Sequence, residues 1–471
     1  MRTRAANRAP GTHLSFASMS RVLLIASYEL GHQPLGVAGP AGVLRARGHD
    51  VRCLDLSMQP LDPELVDWAD RVAFSVPMHT ATQIAKRAIS SIRAQRPALP
   101  IACYGLYGAN AADVADRVIA GETDDALIRW VDGDDEGVVV HLGRGAARAN
   151  AAKPARDLLP PLDEYARLSV GDEERVVGYV EASHGCAHRC RHCPVPVVYD
   201  GRIRVVAIDT ILADAEQQIA AGARHITFGD PDFFNGVHHS LRVVRALHER
   251  FPDVTFDCTV KVEHVLRDEG VWAELAASGC LFVVSAFECV DDATLERLDK
   301  GHTAVDAAKA VAVLRRHGIE VRPSWMPFTP WTNLAQVQAL LDFVADHDLV
   351  HNVDPVQYTI RLLLPEGSLL LGHRDLAPHL GPYDHERGSY TWTSADPEMD
   401  QLQRRVSALV EQRLAGADDD ATVYQAIREL CGLDPAHVEL LEPGQRPPRL
   451  TEPWFCCAEP TADQLGPLGA A

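Results

Sequence analysis

Two alternating series of apolar and polar segments run along the chain. In the first, short continuous apolar runs at 21–26, 51–54, 71–75 and 101–104 have the length and make-up of strands buried on both faces of a parallel sheet. Between them, apolar residues recur at helical spacing over 38–47 and 81–96. This alternation predicts a doubly wound α/β domain ending near Gly133 and assigned to residues 21–141. Residues 142–175, rich in Ala, Arg and Pro and holding Pro160-Pro161, read as a linker. The second series places strands at 176–180, 225–228, 255–259, 281–286, 320–326 and 356–364. Helices are expected at 208–221, 241–250, 271–277, 304–317 and 334–346. Six such units predict a partial (β/α)6 barrel over 176–374, with its chemistry on loops at the C-terminal ends of the strands. The remainder, 375–471, reads as a helical extension (400–415 and 422–430) followed by a Pro-rich tail.

Composition narrows the class. With 471 residues, 46% hydrophobic and 23% charged, the chain fits a soluble globular protein with two or three cores. No run reaches the roughly 18 apolar residues of a membrane span. The net charge of −20 disfavours nucleic acid, which needs a basic surface to displace its counterions. The expected partner is a small-molecule substrate, with neither nucleic acid nor membrane. Eleven cysteines are an odd number and unevenly spread. Three fall at 186–193, two are adjacent at 456–457, and the six others sit in apolar context as small buried hydrophobes. Such usage fits a reducing cytoplasm better than a disulfide framework. Residues 1–20 carry Arg2, Arg4, Arg8 and His13 and no acid, a composition shared with transit peptides. With a strand starting at Arg21, they read as a disordered leader, or as sequence upstream of a working start at Met19.

Each proposed barrel strand reaches a polar candidate. The first runs into Cys186-Ala-His-Arg-Cys190-Arg-His-Cys193, the second into Gly229-Asp230-Pro231-Asp232, the third into Lys261 and the fourth into Glu288. The fifth passes through Ser324 and the sixth contains Arg361. Three thiolates at C-x3-C-x2-C spacing on one loop suit three corners of a [4Fe–4S] cubane. Structural zinc would ask for a fourth ligand, which His184, His188 or His192 could supply, but a barrel loop is the wrong setting for a zinc finger.

The cysteine motif resembles the cluster loop of radical S-adenosylmethionine (SAM) enzymes. That resemblance implies that Cys186, Cys190 and Cys193 hold the cluster and that SAM chelates its open iron. One electron then breaks a carbon–sulfur bond of the sulfonium, normally releasing a 5′-deoxyadenosyl radical. It also implies an external one-electron reductant of the flavodoxin or ferredoxin type. By position in the family pattern, Asp230 and Asp232 fall at the SAM amino group and Glu288 at the ribose. Lys261 and Arg361 fall at the carboxylate as charge-assisted donors. The residue before the third cysteine is usually aromatic in the family; here it is His192.

Through RVLLIA, GHQPLG (Gly31–Gly36) and LRARGHDV, the N-terminal domain resembles the cobalamin-binding domains that precede many radical SAM barrels. Cobalamin is therefore a possible further cofactor. The mutase pattern D-x-H-x-x-G is absent, because His32 has no suitably spaced acid and Gly36 lies one place too far. The glycine pair expected near Tyr104 is reduced to Gly105 and Gly108.

The segment Trp454-Phe-Cys456-Cys457-Ala-Glu-Pro460 resembles the tail of radical SAM proteins named for a C-terminal CUAEP or CCAEP sequence. CRHCPVPVVYDGR and FGDPDFFNG extend that resemblance into the barrel. Adjacent cysteines strain a mutual disulfide; they suit two soft donors, a redox couple or a substrate carrier. Cys456 and Cys457 are accordingly expected to be catalytic. The leading expectation is radical chemistry from SAM on a small substrate near these thiols, with arsenic- or selenium-related chemistry as one version. Cobalamin-dependent methylation is the alternative, and a non-catalytic iron–sulfur redox sensor is the alternative of another class.

Overall fold

The computed structural model describes residues 19–119, 124–133, 139–140, 152–385 and 387–452. Most of the expected leader and the Cys456–Cys457 tail lie outside the described residues.

The N-terminal domain is a parallel sheet of β1 (Arg21–Ala26), β2 (Asp50–Asp55), β3 (Arg71–Ser75), β4 (Ile101–Tyr104), β5 (Arg117–Ile119) and β6 (Val139–Val140). Its order is β2-β1-β3-β4-β5-β6. Alternate residues of β1 serve two cores: Leu23 and Ile25 pack on one face, Val22, Leu24 and Ala26 on the other. Double burial explains why the strand reads as an unbroken apolar run. Because β1 lies between β2 and β3, the sheet has a topological switch point there. A crevice opens outside the carboxyl ends of these strands, where doubly wound sheets hold ligands.

The second sheet begins earlier than expected. The described part of the supposed linker contains β7 (Arg167–Val170), which forms an antiparallel hairpin with β8 (Glu173–Val180). Leu168 of β7 joins Val177, Phe282 and Val284 in a small core, so this segment is part of the barrel layer. A short antiparallel pair, β9 (Ser183–Gly185) and β10 (Ile203–Val205), brackets the cysteine loop. Parallel strands β11 (His225–Phe228), β12 (Thr255–Thr259), β13 (Cys280–Glu288) and β14 (Glu320–Trp325) then extend from β8.

The expected sixth strand at 356–364 is not formed. Pro355–Thr359 is a 3-10 turn, and pairing is limited to a Phe328–Arg361 bridge. Pro355 removes an amide donor and starts the turn. The Gln357 side chain takes over part of the missing ladder, its Oε1 accepting from the Trp325 amide at 3.1 Å.

A hairpin of β15 (Leu380–Asp384) and β16 (Ser389–Trp392) leads to helices Pro397–Ala415 and Asp420–Leu430. The first buries Met399, Leu402, Val406 and Val410, the 3–4 residue spacing of one helical face, against the barrel's main core. The chain then returns as β17 (Arg449–Leu450), antiparallel to β7. Among the described residues no helix is long and apolar enough to cross a membrane.

Arg156, inside the expected linker, joins the two domains. Its guanidinium donates to Asp214 at 2.9 and 3.1 Å, to Gln33 O in the N-terminal domain at 2.6 Å and to Tyr179 O in β8 at 2.6 Å. Both side chains of the Arg156–Asp214 pair are almost fully buried, so the geometry must satisfy every donor to offset desolvation.

Candidate active site between the two domains

The carboxyl ends of both sheets face one cavity of 570 Å³. From the N-terminal side, Glu29, His32, Gly36, Ser75 and Gly105 line it; from the barrel come the three motif cysteines, Asp230, Lys261 and Glu288. Glycine is required at two of these positions. A side chain on Gly36 would collide with Glu29 and Ser75, and Gly105 has φ +96° with the Val76 backbone 3.0 Å from where a Cβ would stand. Gly36 thus leaves room for the Glu29 and Ser75 side chains, and Gly105 for the Val76 backbone, at the wall of the crevice.

The cysteine loop is fixed from behind. Asp230, 1% exposed, accepts from Ala182 N at 2.8 Å and Ser183 Oγ at 2.6 Å, just ahead of the loop. Burial pushes its carboxyl up to about 7, against these two bonds. Asn235 Oδ1 accepts from Ala187 N at 3.1 Å and lies 3.7 Å from Cys186 Sγ. On the other flank Arg191 donates to the Glu296 and Arg297 carbonyls at 2.9 and 2.8 Å. Asn235 and Arg191 were not singled out from the sequence, where nothing distinguishes them from ordinary loop residues.

The donor set fits an iron–sulfur cluster. Cys186, Cys190 and Cys193 line the same cavity and are free thiols. Sulfurs on one zinc ion would lie about 3.8 Å apart, given zinc–sulfur bonds near 2.3 Å. These three are not gathered within 4.8 Å of one another, as expected when each thiolate binds its own iron.

Around the cysteines, Glu288 sits at the end of β13 with φ +64°, the left-handed region that a non-glycine residue adopts only under constraint. The constraint is visible: Glu288 Oε1 accepts from Lys300 Nζ at 2.9 Å and from His192 Nε2 at 3.1 Å. Burial alone would raise this carboxyl, but Lys300 and His192 outweigh it and hold the group well below the usual carboxylate range. Lys300, 3% exposed, is the buried counter-ion that sequence reading missed. A lone lysine in Leu-Asp-Lys-Gly carries no signal of burial. Both of these bonds fall on Oε1, and Glu288 lines the cavity. His192, the departure from the family's aromatic residue, finds its role here as the second donor to Glu288.

Not every expected residue reaches the cavity. Asp232 is fully buried and outside the lining; its Oδ1 caps the turn Phe233–Gly236 through the Phe234 amide. Arg361 is drawn away, pairing with Asp400 at 2.8 Å, donating to Trp392 O at 2.7 Å and stacking on the Trp392 ring at 3.7 Å. It ties the helical extension to the barrel and is not among the residues that line the cavity. Arg322 lines the cavity instead, paired with Asp354 at 2.9 Å. Ser324 also lines it. Cys456 and Cys457 lie outside the described residues, but Glu452, four residues before Cys456, lines the cavity and is hydrogen-bonded to the Tyr28 hydroxyl.

Comparison with known proteins agrees with this layout. Residues 180–344 match the family model of the radical SAM superfamily. A probable threonylcarbamoyladenosine tRNA methylthiotransferase of Archaeoglobus fulgidus is 24% identical over 160 residues, 32% of this chain and 38% of that protein. A hopanoid C-3 methylase of Methylococcus capsulatus is 23% identical over 328 residues, 62% of each chain. The chain thus spans between 38% and 62% of the lengths of these relatives. Among solved structures, the cobalamin-dependent SAM radical enzyme OxsB with aqua-cobalamin bound has a TM-score of 0.66 at 15% identity, over 84% of this chain and 68% of that one. The two share a fold of N-terminal α/β domain and half-barrel. Residues 180–344 therefore resemble radical SAM domains in sequence, and the chain shares its fold with a cobalamin-dependent SAM radical enzyme.

Proposed function

We propose, from the match of residues 180–344 to the radical SAM family model, that the protein cleaves SAM reductively in the interdomain cavity and uses the radical on a small substrate held there. The observation that carries this reading is the single cavity shared by the three cysteines and the switch-point crevice of the N-terminal domain. A cluster held by Cys186, Cys190 and Cys193, once reduced by an external one-electron donor, would supply the electron that breaks a carbon–sulfur bond of SAM. Glu288, kept ionised by Lys300, offers Oε2 to a ribose hydroxyl. Asp230 and Lys261, on adjacent strand ends, face opposite charges of the amino-acid moiety. The apolar N-terminal wall excludes water from a reactive radical.

Cys456 and Cys457 are proposed to work in the same cavity. Four residues separate Cys456 from Glu452 at the lining, a span of at most about 14 Å for extended chain. Two neighbouring thiolates are a chelate for a thiophilic substrate such as trivalent arsenic, or a nucleophile for a SAM fragment. Cobalamin-dependent methyl transfer is the second reading. It is favoured by the glycine-backed crevice opening into this cavity and by the likeness to OxsB, whose structure holds aqua-cobalamin.

The test is anaerobic incubation of reconstituted protein with dithionite and SAM, followed by mass spectrometry of all SAM fragments. Wild type should release 5′-deoxyadenosine or another cleavage product; no fragment at all would leave only the sensor. The double variant Cys456→Ser/Cys457→Ser should keep its iron and SAM binding but lose the product. Unchanged turnover would remove the tail from the mechanism, and transfer of a labelled SAM methyl group to a bound corrinoid would select the second reading.

A further inference from the structure

Behind the cysteine loop, three side chains from separate elements converge. His188 comes from the loop itself, Asp232 from the loop after β11, and His264 from the helix Val262–Arg267. Asp232 Oδ2 lies 2.8 Å from His264 Nδ1 and 3.7 Å from His188 Nε2, and the two Nε2 atoms are 3.0 Å apart. One ligand atom from each falls within a 4.8 Å group. Asp232 and His264 are 0% and 3% exposed.

The polar bookkeeping inside this group does not close. Asp232 spends Oδ1 on the Phe234 amide, while its Oδ2 is buried without a hydrogen bond. His264 Nδ1, although only 2.8 Å away, is also buried without one. The two atoms are in range, yet the ring's N–H direction misses the carboxylate. Buried polar atoms left unpaired call for an explanation, an ion being one.

We propose that His188, Asp232 and His264 bind one divalent first-row transition ion of the zinc or ferrous class. Two imidazoles and one carboxylate form a borderline donor set that suits such ions, whereas calcium and magnesium want oxygen throughout. With His264 ligating through Nδ1, Asp232 Oδ2 stands 2.8 Å from that nitrogen and 3.7 Å from His188 Nε2, on either side of the roughly 3–3.5 Å that separates ligands about 2.0–2.2 Å from one ion. The ion ties His188, which stands between Cys186 and Cys190, to the barrel wall. It thereby fixes the loop independently of the cluster. No sequence motif announces it, because the ligands are spread over 188, 232 and 264.

The experiment uses full-length protein with its cluster reconstituted anaerobically, titrated with Co2+ and followed by its visible d–d absorption and by metal analysis. Wild type should take up about one Co2+ per chain in a nitrogen/oxygen site, displaced by Zn2+. His188→Gln and His264→Gln should each lose that equivalent. Should a variant also lose iron, the Cys186→Ala/Cys190→Ala/Cys193→Ala protein decides: it should still bind one Co2+ without thiolate charge-transfer bands. A wild type that takes up no such Co2+, histidine variants that retain it, or a triple-cysteine variant that fails to bind it would each overturn the proposal and leave a buried hydrogen-bond chain in its place.

Discussion

On the barrel side of the cavity stand Asp230, Lys261, Glu288, Lys300 and Arg322; on the N-terminal side stand Gly36, Gly39, Pro40, Met78 and Tyr104. The barrel charges are engaged before any ligand arrives: Lys300 with Glu288, Arg322 with Asp354, Lys261 with Glu263. Among the described lining residues of the N-terminal domain, Glu29 is the only acid. The contrast separates two tasks. A preorganised charged wall can orient a zwitterionic cosubstrate without reorganising. A wall of glycine, proline and aromatic residues offers close backbone approach and shape to a broad, weakly charged ligand. Chemistry should therefore fail when the barrel wall is damaged, and ligand choice should change when the other wall is.

The largest effect is expected at the barrel wall. Replacing Cys186, Cys190 or Cys193 by Ala should abolish SAM cleavage, read as 5′-deoxyadenosine, while thermal unfolding of the N-terminal domain stays as in wild type. Full cleavage by any one of these variants would refute the cluster assignment.

Next in size is the clamp between the walls. Arg156→Ala leaves Asp214 buried without its cationic partner and removes the guanidinium bonds to the Gln33 and Tyr179 carbonyls. The loss should be about 3–5 kcal/mol, measured as a lower urea midpoint. Arg156→Lys keeps the charge but not the planar fork, so it should recover only part of the loss. A wild-type midpoint in the alanine variant would mean that the walls are held together elsewhere.

A smaller effect belongs to the N-terminal wall's single acid. Burial pushes the Glu29 carboxyl from its ordinary 4.5 to about 7, against a bond from the Gly36 amide. The folded protein therefore binds a proton that the unfolded chain releases between about pH 4.5 and 7. This component of stability is present at low pH and is lost as pH rises through that window, staying flat above it. Glu29→Gln cannot ionise and should lack the slope, so urea midpoints at about pH 5 and pH 7.5 should converge relative to wild type. Equal pH differences in the two proteins would show that Glu29 is ionised in the fold.

How far the sequence carried differs between these walls for the same physical reason. Strand β1 is legible because every position after Arg21 is apolar and buried and the run length matches the strand. The cysteine loop is legible because metal chemistry fixes residue type and spacing together. Lys300 and Arg156 were invisible, because a buried charge is defined by a partner far away in sequence. Arg361 misled for the converse reason: a cation near a strand end looks alike whether it faces the cavity or, as here, Asp400 and Trp392. The sixth strand failed because an apolar run does not reveal that Pro355 will start a turn.

The smallest effect is expected from His32→Ala, and its smallness is informative. His32 is buried at the cavity edge, where the fold likeness to a cobalamin-dependent enzyme invites its assignment as a metal ligand. Burial lowers its pKa to about 4, so the ring is neutral at pH 7, which ligation would also require. The distinction lies in its neighbours. A ligating imidazole is normally oriented by a carboxylate or carbonyl on its other nitrogen. Among the described residues no hydrogen bond reaches the His32 ring; it stacks on Tyr179 of the barrel instead, with centroids 4.8 Å apart and tilted by 32°. The side chain thus serves contact between the walls, and its truncation should cost packing alone. Aqua-cobalamin added to the full-length protein should bind the alanine variant within a few-fold of wild type, with the same cobalt spectrum. A spectrum that changes with the substitution would move His32 from the seam between the walls onto the metal, and would give the N-terminal wall a chemical role in place of a purely steric one.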